Sequence, residues 1–222
     1  MIVKLIAYTP EADKVCAAAA KSCYAEASAA DLLGADNPEK TLSAVLSMGH
    51  ESVIEHAVFT FSVEGVSRVL THQLVRHRIA SFSQQSQRYV PLKEPTYVVP
   101  ETVLADPAAL AVYTETMERL WTAYGELADL GIPTEDARYV LPNGCTTNIT
   151  ITMNARELLH FFAMRCCNRA QWEIRELADE MLRQCKAVCP VIFRYAGPGC
   201  VRGPCPEGKK TCGHSRKAEF EQ

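Results

Sequence analysis

Residues 146–168 read TTNITITMNARELLHFFAMRCCN and contain the clearest change of secondary structure in the chain. The first eight are dominated by threonine and isoleucine, β-branched residues that favour strands. Asn154 follows at once, and its side chain is of the type that accepts a hydrogen bond from the first turn of a helix. We therefore predict a strand over 146–153 that passes directly into a helix over 155–168.

The rest of the chain contains further predicted strands and helices in an irregular order. Alternating or apolar runs predict strands at 2–8, 57–63 and, as a short element, 96–99. Helical spacing and end signals predict helices at 10–27, 40–48, 67–77, 107–130, 133–140 and 173–188. Polar residues predict loops at 28–38 and 81–88. Because this order has no regular βαβ rhythm, we predict the α+β class, with a mixed or antiparallel sheet flanked by helices.

Length and charge limit the class of protein. A chain of 222 residues with 48% hydrophobic residues can bury one sizeable core, so we predict one domain over 1–196 and a Cys-, Gly- and Pro-rich tail over 197–222. The net charge of -3 argues against a general nucleic-acid binder. No apolar run approaches the ~20 residues of a membrane span, and the N-terminus is too short and poorly flanked for a signal peptide. We infer a cytoplasmic protein.

Residues 76–89, RHRIASFSQQSQRY, combine three arginines and a histidine with neutral hydrogen-bonding side chains and contain no acid. Fixed guanidinium forks beside neutral donors suit a phosphorylated small molecule. If 67–77 is a helix, Arg76 and His77 lie in its last turn, and Arg76 and Arg78 point to different sides. One alternative is that these arginines pair with acids elsewhere or simply cover the surface. Another is RNA binding, which would need aromatics between the arginines, whereas 76–88 contains only Phe82.

A second group of polar residues lies on the predicted helix after residue 154. Arg156 and His160 share one face, whereas Arg165 lies roughly 180° away, with Arg169 one turn further on. A surface helix normally keeps one polar face. Two polar faces suit a helix at a subunit interface that serves two sites, and the alternative is scattered solvated charge.

Histidines and cysteines give only weak metal signals. His50 and His56 are six residues apart and form no H-E-x-x-H motif, so a loop or ligand contact is favoured there. Among the ten cysteines, Cys200, Cys205 and Cys212 are spaced more widely than the pairs of zinc sites. We expect a reduced tail and no metal, and a metal-binding regulatory protein is the alternative.

Arg76-His77-Arg78, seven residues and then Ser86 form the pattern R-H-R-x7-S, which resembles the signature of the flavin-dependent thymidylate synthases. The resemblance continues through Arg88-Tyr89. Further blocks lie in family order from about residue 50 to 175: HES at 50–52, ARYVLP at 137–142, NAR at 154–156, and Arg165 followed by AQWE at 170–173. The sequence also lacks the G-x-G-x-x-G turn of Rossmann folds and the Walker A loop.

The resemblance implies a family-specific α+β fold, a homotetramer whose active sites are built from several subunits, and FAD, dUMP, methylenetetrahydrofolate and NADPH as ligands. By position it places flavin contacts on Ser52, Arg76, His77, Arg78, Gln84, Asn154, Arg156 and His160. It places nucleotide contacts on Gln73, Arg76, Gln84, Gln85, Ser86, Gln87, Arg88, Arg138 and Arg165. It also places His50 near the flavin and the folate. Gln84 replaces the Glu of many members and His160 the Asn of some, but both can still form hydrogen bonds.

The resemblance also implies that dUMP becomes dTMP without a protein nucleophile, with NADPH reducing the flavin and the flavin providing the final hydride. Ser86 has no evident base and is a poor nucleophile. Arg165 is the expected catalytic residue, because a positive charge near the pyrimidine favours its N3-deprotonated form. Arg88 and Arg138 are expected to hold the phosphate, and His77 and Arg78 to position the flavin. A different flavin or nucleotide enzyme on the same scaffold is the alternative.

Overall fold

The computed structural model describes residues 1–34 and 37–220, which form an α+β fold, as predicted. Its antiparallel sheet has four strands in the order β1-β2-β4-β3. The strands are β1 Ile2–Tyr8, β2 Val58–Ser67, β3 Ala80–Gln84 and β4 Thr146–Asn154. The helices are α1 Ala12–Ser22, α2 Ala29–Leu32, α3 Pro38–Ser47, α4 Arg68–Leu74, α5 Glu101–Leu104, α6 Pro107–Asp129, α7 Thr134–Ala137, α8 Ala155–Arg165, α9 Trp172–Val188 and α10 Lys217–Phe220. Short 3-10 helices cover Glu51–His56, Arg138–Val140, Gly199–Val201 and Gly208–Lys210.

The predicted passage from strand to helix at Asn154 is confirmed. Every second residue of β4 is buried, as the strand period requires: Thr147, Ile149, Ile151 and Met153. Asn154 Oδ1 then accepts a hydrogen bond of 2.9 Å from the backbone N–H of Glu157, which caps α8. The helix ends at Arg165 rather than near residue 168, and the Arg216 side chain donates to the carbonyl of its C-cap residue, Cys166, at 2.6 Å, which satisfies one of the free carbonyls of the helix end.

Two predictions around the arginine segment are wrong. Helix α4 ends at Leu74, with Val75 as its C-cap, so Arg76 and His77 follow the helix instead of forming its last turn. The first four residues of the predicted loop 81–88 belong to the edge strand β3, Ala80–Gln84. Serine and glutamine have little β propensity, so this strand is stabilised by its place beside β4, which no local pattern shows.

Smaller corrections concern three other segments. Helix α1 ends at Ser22, five residues before the predicted end. The predicted loop 28–38 contains α2, which Ser28 caps by accepting from the N–H of Asp31, while positions 35 and 36 lie outside the described residues. The predicted strand 96–99 is a single bridge between Tyr97 and Cys145. Helices α6 and α9 match their predictions to within a residue, and Gly131 follows α6 with the left-handed φ of +82° that favours glycine there.

The chain forms two compact units within this fold. Unit 1 comprises residues 1–2, 63–76 and 83–149, and unit 2 comprises 3–62, 77–82 and 150–222. Unit 1 has a small hydrophobic core of three buried residues, Met117, Trp121 and Cys145. Four partly buried side chains pack against it: Leu92, Tyr97, Tyr113 and Leu141. The predicted boundary at residue 196 stays a prediction. Within residues 1–34 and 37–220, no helix has the length and apolarity needed to cross a membrane.

Aromatic rings form the centre of unit 2. Phe193 lies edge-on to Phe59 at 5.3 Å between ring centroids and to Phe162 at 5.9 Å, and Phe162 contacts Phe161 at 5.7 Å. All four side chains are fully buried. Edge-on pairs of this kind add stability beyond their buried area. They hold α8 in place, so the polar residues of this helix have fixed positions.

The carboxylate of Asp13 on α1 joins that helix to the turn after α9. It accepts hydrogen bonds from the backbone N–H groups of Val191 and Ile192, both at 3.0 Å, and from the Cys189 thiol at 3.1 Å. Asp13 is only 9% exposed, so these partners have little access to water. Buried N–H groups that lose their acceptor destabilise a fold.

Replacing Asp13 with Ala should therefore lower the free energy of unfolding by about 2–4 kcal/mol, because two backbone N–H groups lose a charged acceptor. Urea denaturation followed by circular dichroism measures the change. Asp129→Ala, an exposed aspartate at the end of α6, is the matched control and should change stability by less than about 0.5 kcal/mol. Equal urea midpoints for the two variants would contradict this role.

Candidate active site

His77 is the centre of a buried polar cluster in unit 2. Its Nδ1 lies 3.0 Å from Oε1 of Glu157, and its Nε2 accepts a hydrogen bond of 3.1 Å from Nε–H of Arg165. His77 is 4% exposed and Glu157 7% exposed. Because Arg165 can only donate, Nε2 must accept, and the hydrogen on Nδ1 is donated to Glu157. The neutral imidazole with its hydrogen on Nδ1 is therefore the form that satisfies both partners.

The electrostatics of the cluster agree with a neutral His77. Burial lowers the pKa of His77. Arg165 and His160 lower it further, whereas the hydrogen bond and charge of Glu157 act in the opposite direction. The rings of His160 and Phe161 lie edge-on to His77, at 5.7 and 5.0 Å between centroids.

A cavity of about 630 Å³ in unit 2, here called the Arg156 cavity, contains three of the predicted flavin contacts. Asn154, Arg156 and His160 line it together with Glu51 and Glu55. The Arg156 guanidinium pairs with Glu55 at 2.6 Å and with Glu51 at 3.7 Å. All three predicted residues offer N–H donors, which suits a ligand with phosphate and carbonyl oxygens.

A second cavity in unit 2, of about 850 Å³, lies between the end of α8 and the C-terminal tail. We call it the tail cavity. Arg165 and Arg169 line it from one side and the cysteines of the tail from the other, so α8 presents polar residues to two cavities, as its periodicity predicts. All ten cysteines are free thiols. Over residues 1–34 and 37–220, no three His, Cys, Asp or Glu side chains are grouped to hold a metal ion.

Unit 1 contains a smaller cavity of about 250 Å³, here called the Arg138 cavity. Arg68, His72, Gln87 and Arg138 line it, and its described lining includes no carboxylate. Arg68 Nη2 donates to the carbonyl of Gln85 at 3.1 Å, while its Nε is buried without a hydrogen-bond partner among the described residues. Burial lowers the pKa of Arg68, and the nearby Arg138 also lowers it. Two guanidinium groups with no acid in the described lining attract anions.

Sequence reasoning missed Arg68 and His72. They lie four residues apart at the two ends of one turn of α4, so they share a face of the helix. The spacing of two basic residues directly after the capping Ser67 was the available signal. The apolar periodicity of the same segment masks this signal, because that pattern predicts a helix and gives no role to its basic residues.

The remaining predicted nucleotide contacts lie in unit 1, on or near β3. The Gln84 amide donates to the hydroxyls of Thr71 and Thr147, both at 3.3 Å. Gln87 donates to Cys145 Sγ at 3.2 Å. Arg88 forms an ion pair of 2.8 Å with Glu135, so within this chain it is already paired with an acid. Gln73 and Ser86 are partly buried, and Gln85 is exposed.

The other predicted flavin contacts are more dispersed. Arg76 and Arg78 are exposed on either side of the buried His77. Ser52 lies in the 3-10 helix Glu51–His56, and His50 is its exposed N-cap. The structure thus brings Asn154, Arg156 and His160 together at one cavity, and His77 with Arg165 in one cluster. The binding roles of all these residues stay predictions.

Comparison with known proteins gives the family. The family model described as "Thymidylate synthase complementing protein" matches residues 4–191. The chain belongs to this family. Two of its relatives, both called flavin-dependent thymidylate synthase, come from Geobacter sulfurreducens (52% identical, covering 99% of this chain and 97% of the relative) and Clostridium tetani (50% identical, covering 95% and 92%). The first alignment covers nearly all of this chain, so the tail over 197–222 is not peculiar to it.

A solved structure resembles this member of the thymidylate synthase complementing protein family over most of its length. It is the UMP/dUMP methylase PolB from Streptomyces cacaoi bound with 5-Br dUMP, with a TM-score of 0.78 and 27% sequence identity. The match covers 86% of this chain and 92% of PolB. The family and the non-Rossmann fold predicted from the R-H-R-x7-S pattern are thereby confirmed.

Proposed function

We propose that this chain is an FAD-dependent thymidylate synthase that methylates dUMP to dTMP, with methylenetetrahydrofolate as carbon donor and NADPH as reductant. The observation that carries the proposal is the near full-length similarity to relatives of that name, together with a structural neighbour bound with a dUMP analogue. The geometry of both units supports it. The cytoplasmic location stays a prediction.

The Arg138 cavity supports a nucleotide monophosphate substrate. Arg68 and Arg138 provide two positive charges, and the described lining contains no carboxylate to neutralise them. A phosphate accepts forked hydrogen bonds from guanidinium groups and returns the missing negative charge. We assign the monophosphate of dUMP to this cavity, which adds Arg68 to the predicted contacts Gln87 and Arg138.

The Arg156 cavity suits the flavin. Two of its three lining acids, Glu51 and Glu55, pair with an Arg156 side chain that is about half exposed. Exposed ion pairs contribute little stability, so an anionic ligand can replace these two acids at Arg156. His160 and the Asn154 amide are further donors for ring and phosphate oxygens. A flavin held here would supply the hydride that reduces the transferred carbon to a methyl group. Ser52, Arg76, His77, Arg78 and Gln84 are the other proposed flavin contacts.

The side chains support a mechanism without a protein nucleophile. Cys145 is the thiol of the Arg138 cavity, and burial raises its pKa, so it is poorly suited to act as a thiolate. Ser86 Oγ accepts a hydrogen bond from the Arg88 N–H and has no histidine or acid contact among the described residues. We therefore assign activation of the pyrimidine to Arg165, whose positive charge favours the N3-deprotonated ring and a more nucleophilic C5.

We infer a homotetramer with shared active sites. Strand β1 is an edge of the sheet, and its Ile6 is 57% exposed and Tyr8 45% exposed, with Val58 of β2 39% exposed. Exposed apolar residues on an edge strand favour association with another chain.

A direct assay tests the function. We expect the purified protein to show the visible spectrum of oxidised flavin and to oxidise NADPH when dUMP and methylenetetrahydrofolate are present. In D2O, deuterium from the reduced flavin should appear in the methyl group of dTMP. A colourless protein that shows no dUMP-dependent NADPH oxidation after FAD is supplied would disprove the proposal. Preference for UMP, the other substrate in the name of PolB, would favour a different pyrimidine methylase.

Replacing Arg165 with Ala should leave yellow, flavin-bound protein that has lost at least about 100-fold in kcat/KM for dTMP formation, because the charge near the pyrimidine is gone. Flavin content from the visible spectrum and dTMP yield by chromatography are the measurements. Arg183→Ala, an exposed arginine of α9 paired with Glu180, is the control and should keep wild-type activity. Full activity of Arg165→Ala would refute the assignment.

Replacing Arg138 with Ala should raise KM for dUMP by about 10–100-fold with little change in kcat, because a phosphate contact far from the reacting carbon contributes uniform binding. Deoxyuridine, which lacks the phosphate, should be used equally poorly by variant and wild type. Arg119→Ala, an exposed arginine of α6, is the control. The same penalty with deoxyuridine as with dUMP would rule out a phosphate role.

A further inference from the structure

We propose that Glu157 is a positioning residue for the reaction: its carboxylate fixes the tautomer of His77, and His77 in turn holds the guanidinium of Arg165. The inference rests on the proposed role of Arg165. The blocks that resemble the family include residues 154–156 and Arg165 but not Glu157. It follows from the two hydrogen bonds of His77 and from their burial.

The tautomer of His77 decides whether the ring can bind Arg165. His77 Nε2 binds Nε–H of Arg165 only while Nε2 carries a lone pair. A hydrogen on Nε2, in the other tautomer or in the imidazolium, would face the hydrogen of Arg165, and the bond would be lost. The Glu157 carboxylate only accepts hydrogen bonds, so at 3.0 Å from Nδ1 it selects the tautomer with hydrogen on Nδ1.

Glu157 is itself fixed by the start of α8. Asn154 binds its backbone N–H at 2.9 Å, which places Glu157 in the first turn of the helix. A negative charge is favoured in that turn by the helix dipole. The strand-to-helix junction therefore determines where the carboxylate lies, and with it the orientation of the His77 ring.

The hydrogen bond through Nε restricts the orientation of the Arg165 guanidinium. Binding at Nε fixes the plane of the guanidinium, while the two terminal nitrogens of the fork are not part of this bond. The carboxylate also places a negative charge near a cation that is partly buried. Arg165 is thereby held in one orientation before substrate binds, and preorganisation of this kind raises the rate of the chemical step.

Two variants separate positioning from simple filling of space. Glu157→Gln keeps an acceptor for Nδ1–H, so kcat/KM per bound flavin should stay within about 10-fold of wild type. Glu157→Ala removes the acceptor and should lose about 100-fold, similar to Arg165→Ala. Glu176→Ala, an exposed glutamate of α9, is the control and should have no effect. Glu157→Met replaces the alanine variant if that variant folds poorly.

A double-mutant cycle gives the sharper test. If Glu157 acts through Arg165, Glu157→Ala should weaken dUMP binding in the wild-type background and cause no further loss in the Arg165→Ala background. Isothermal titration with dUMP measures this without turnover. Additive losses, equal defects of Gln and Ala, or wild-type activity of Glu157→Ala would each overturn the proposal. The activity of the wild-type enzyme tests the proposed function separately.

Discussion

The hydrogen bond between the Asn154 side chain and the Glu157 backbone fixes where α8 begins, and with it the directions of the residues proposed to bind the flavin and the pyrimidine. It sets the residue at which β4 becomes α8, and a shift of one position would rotate every later side chain by about 100° around the helix. Arg156 and His160 would then no longer line one cavity, and Arg165 would no longer contact His77. The aromatic core of unit 2 holds the helix in that register.

The two units differ in whether their buried or partly buried charges have partners within the chain. In unit 2 the charges of Glu157 and Arg165 are both bound to one neutral histidine, so each partner is satisfied within the chain. In unit 1 Arg68 and Arg138 line a cavity without a carboxylate, and one nitrogen of Arg68 has no described partner. The first arrangement satisfies its charges internally, whereas the second presents two cations with no acid in the described lining. A partly buried cation without a counter-ion is costly, and ligand binding is one way to offset that cost.

Several arginines that look equivalent in the sequence have distinct environments in the structure. Arg88 and Arg156 pair with acids at exposed positions, and Arg216 joins the tail to α9 through Asp179 at 2.9 Å. The tail, which motif reasoning left unassigned, thus packs against the end of α8 and forms one wall of the cavity that contains Arg165. Its free thiols line that cavity without forming a metal-binding group among the described residues.

The α+β class, the junction at Asn154, the long helices and the family were all determined by the sequence alone. Each depends on periodicity, caps or spacing, which are local properties of the chain. Tertiary structure alone decided four other features. These are the edge strand β3, the end of α4 at Leu74, the pairing of Glu157 with His77, and the position of Arg68 and Arg138 at one cavity. The physical reason is that His77 and Glu157 are 80 residues apart, so their bond depends on how the elements pack and leaves no trace in local propensity.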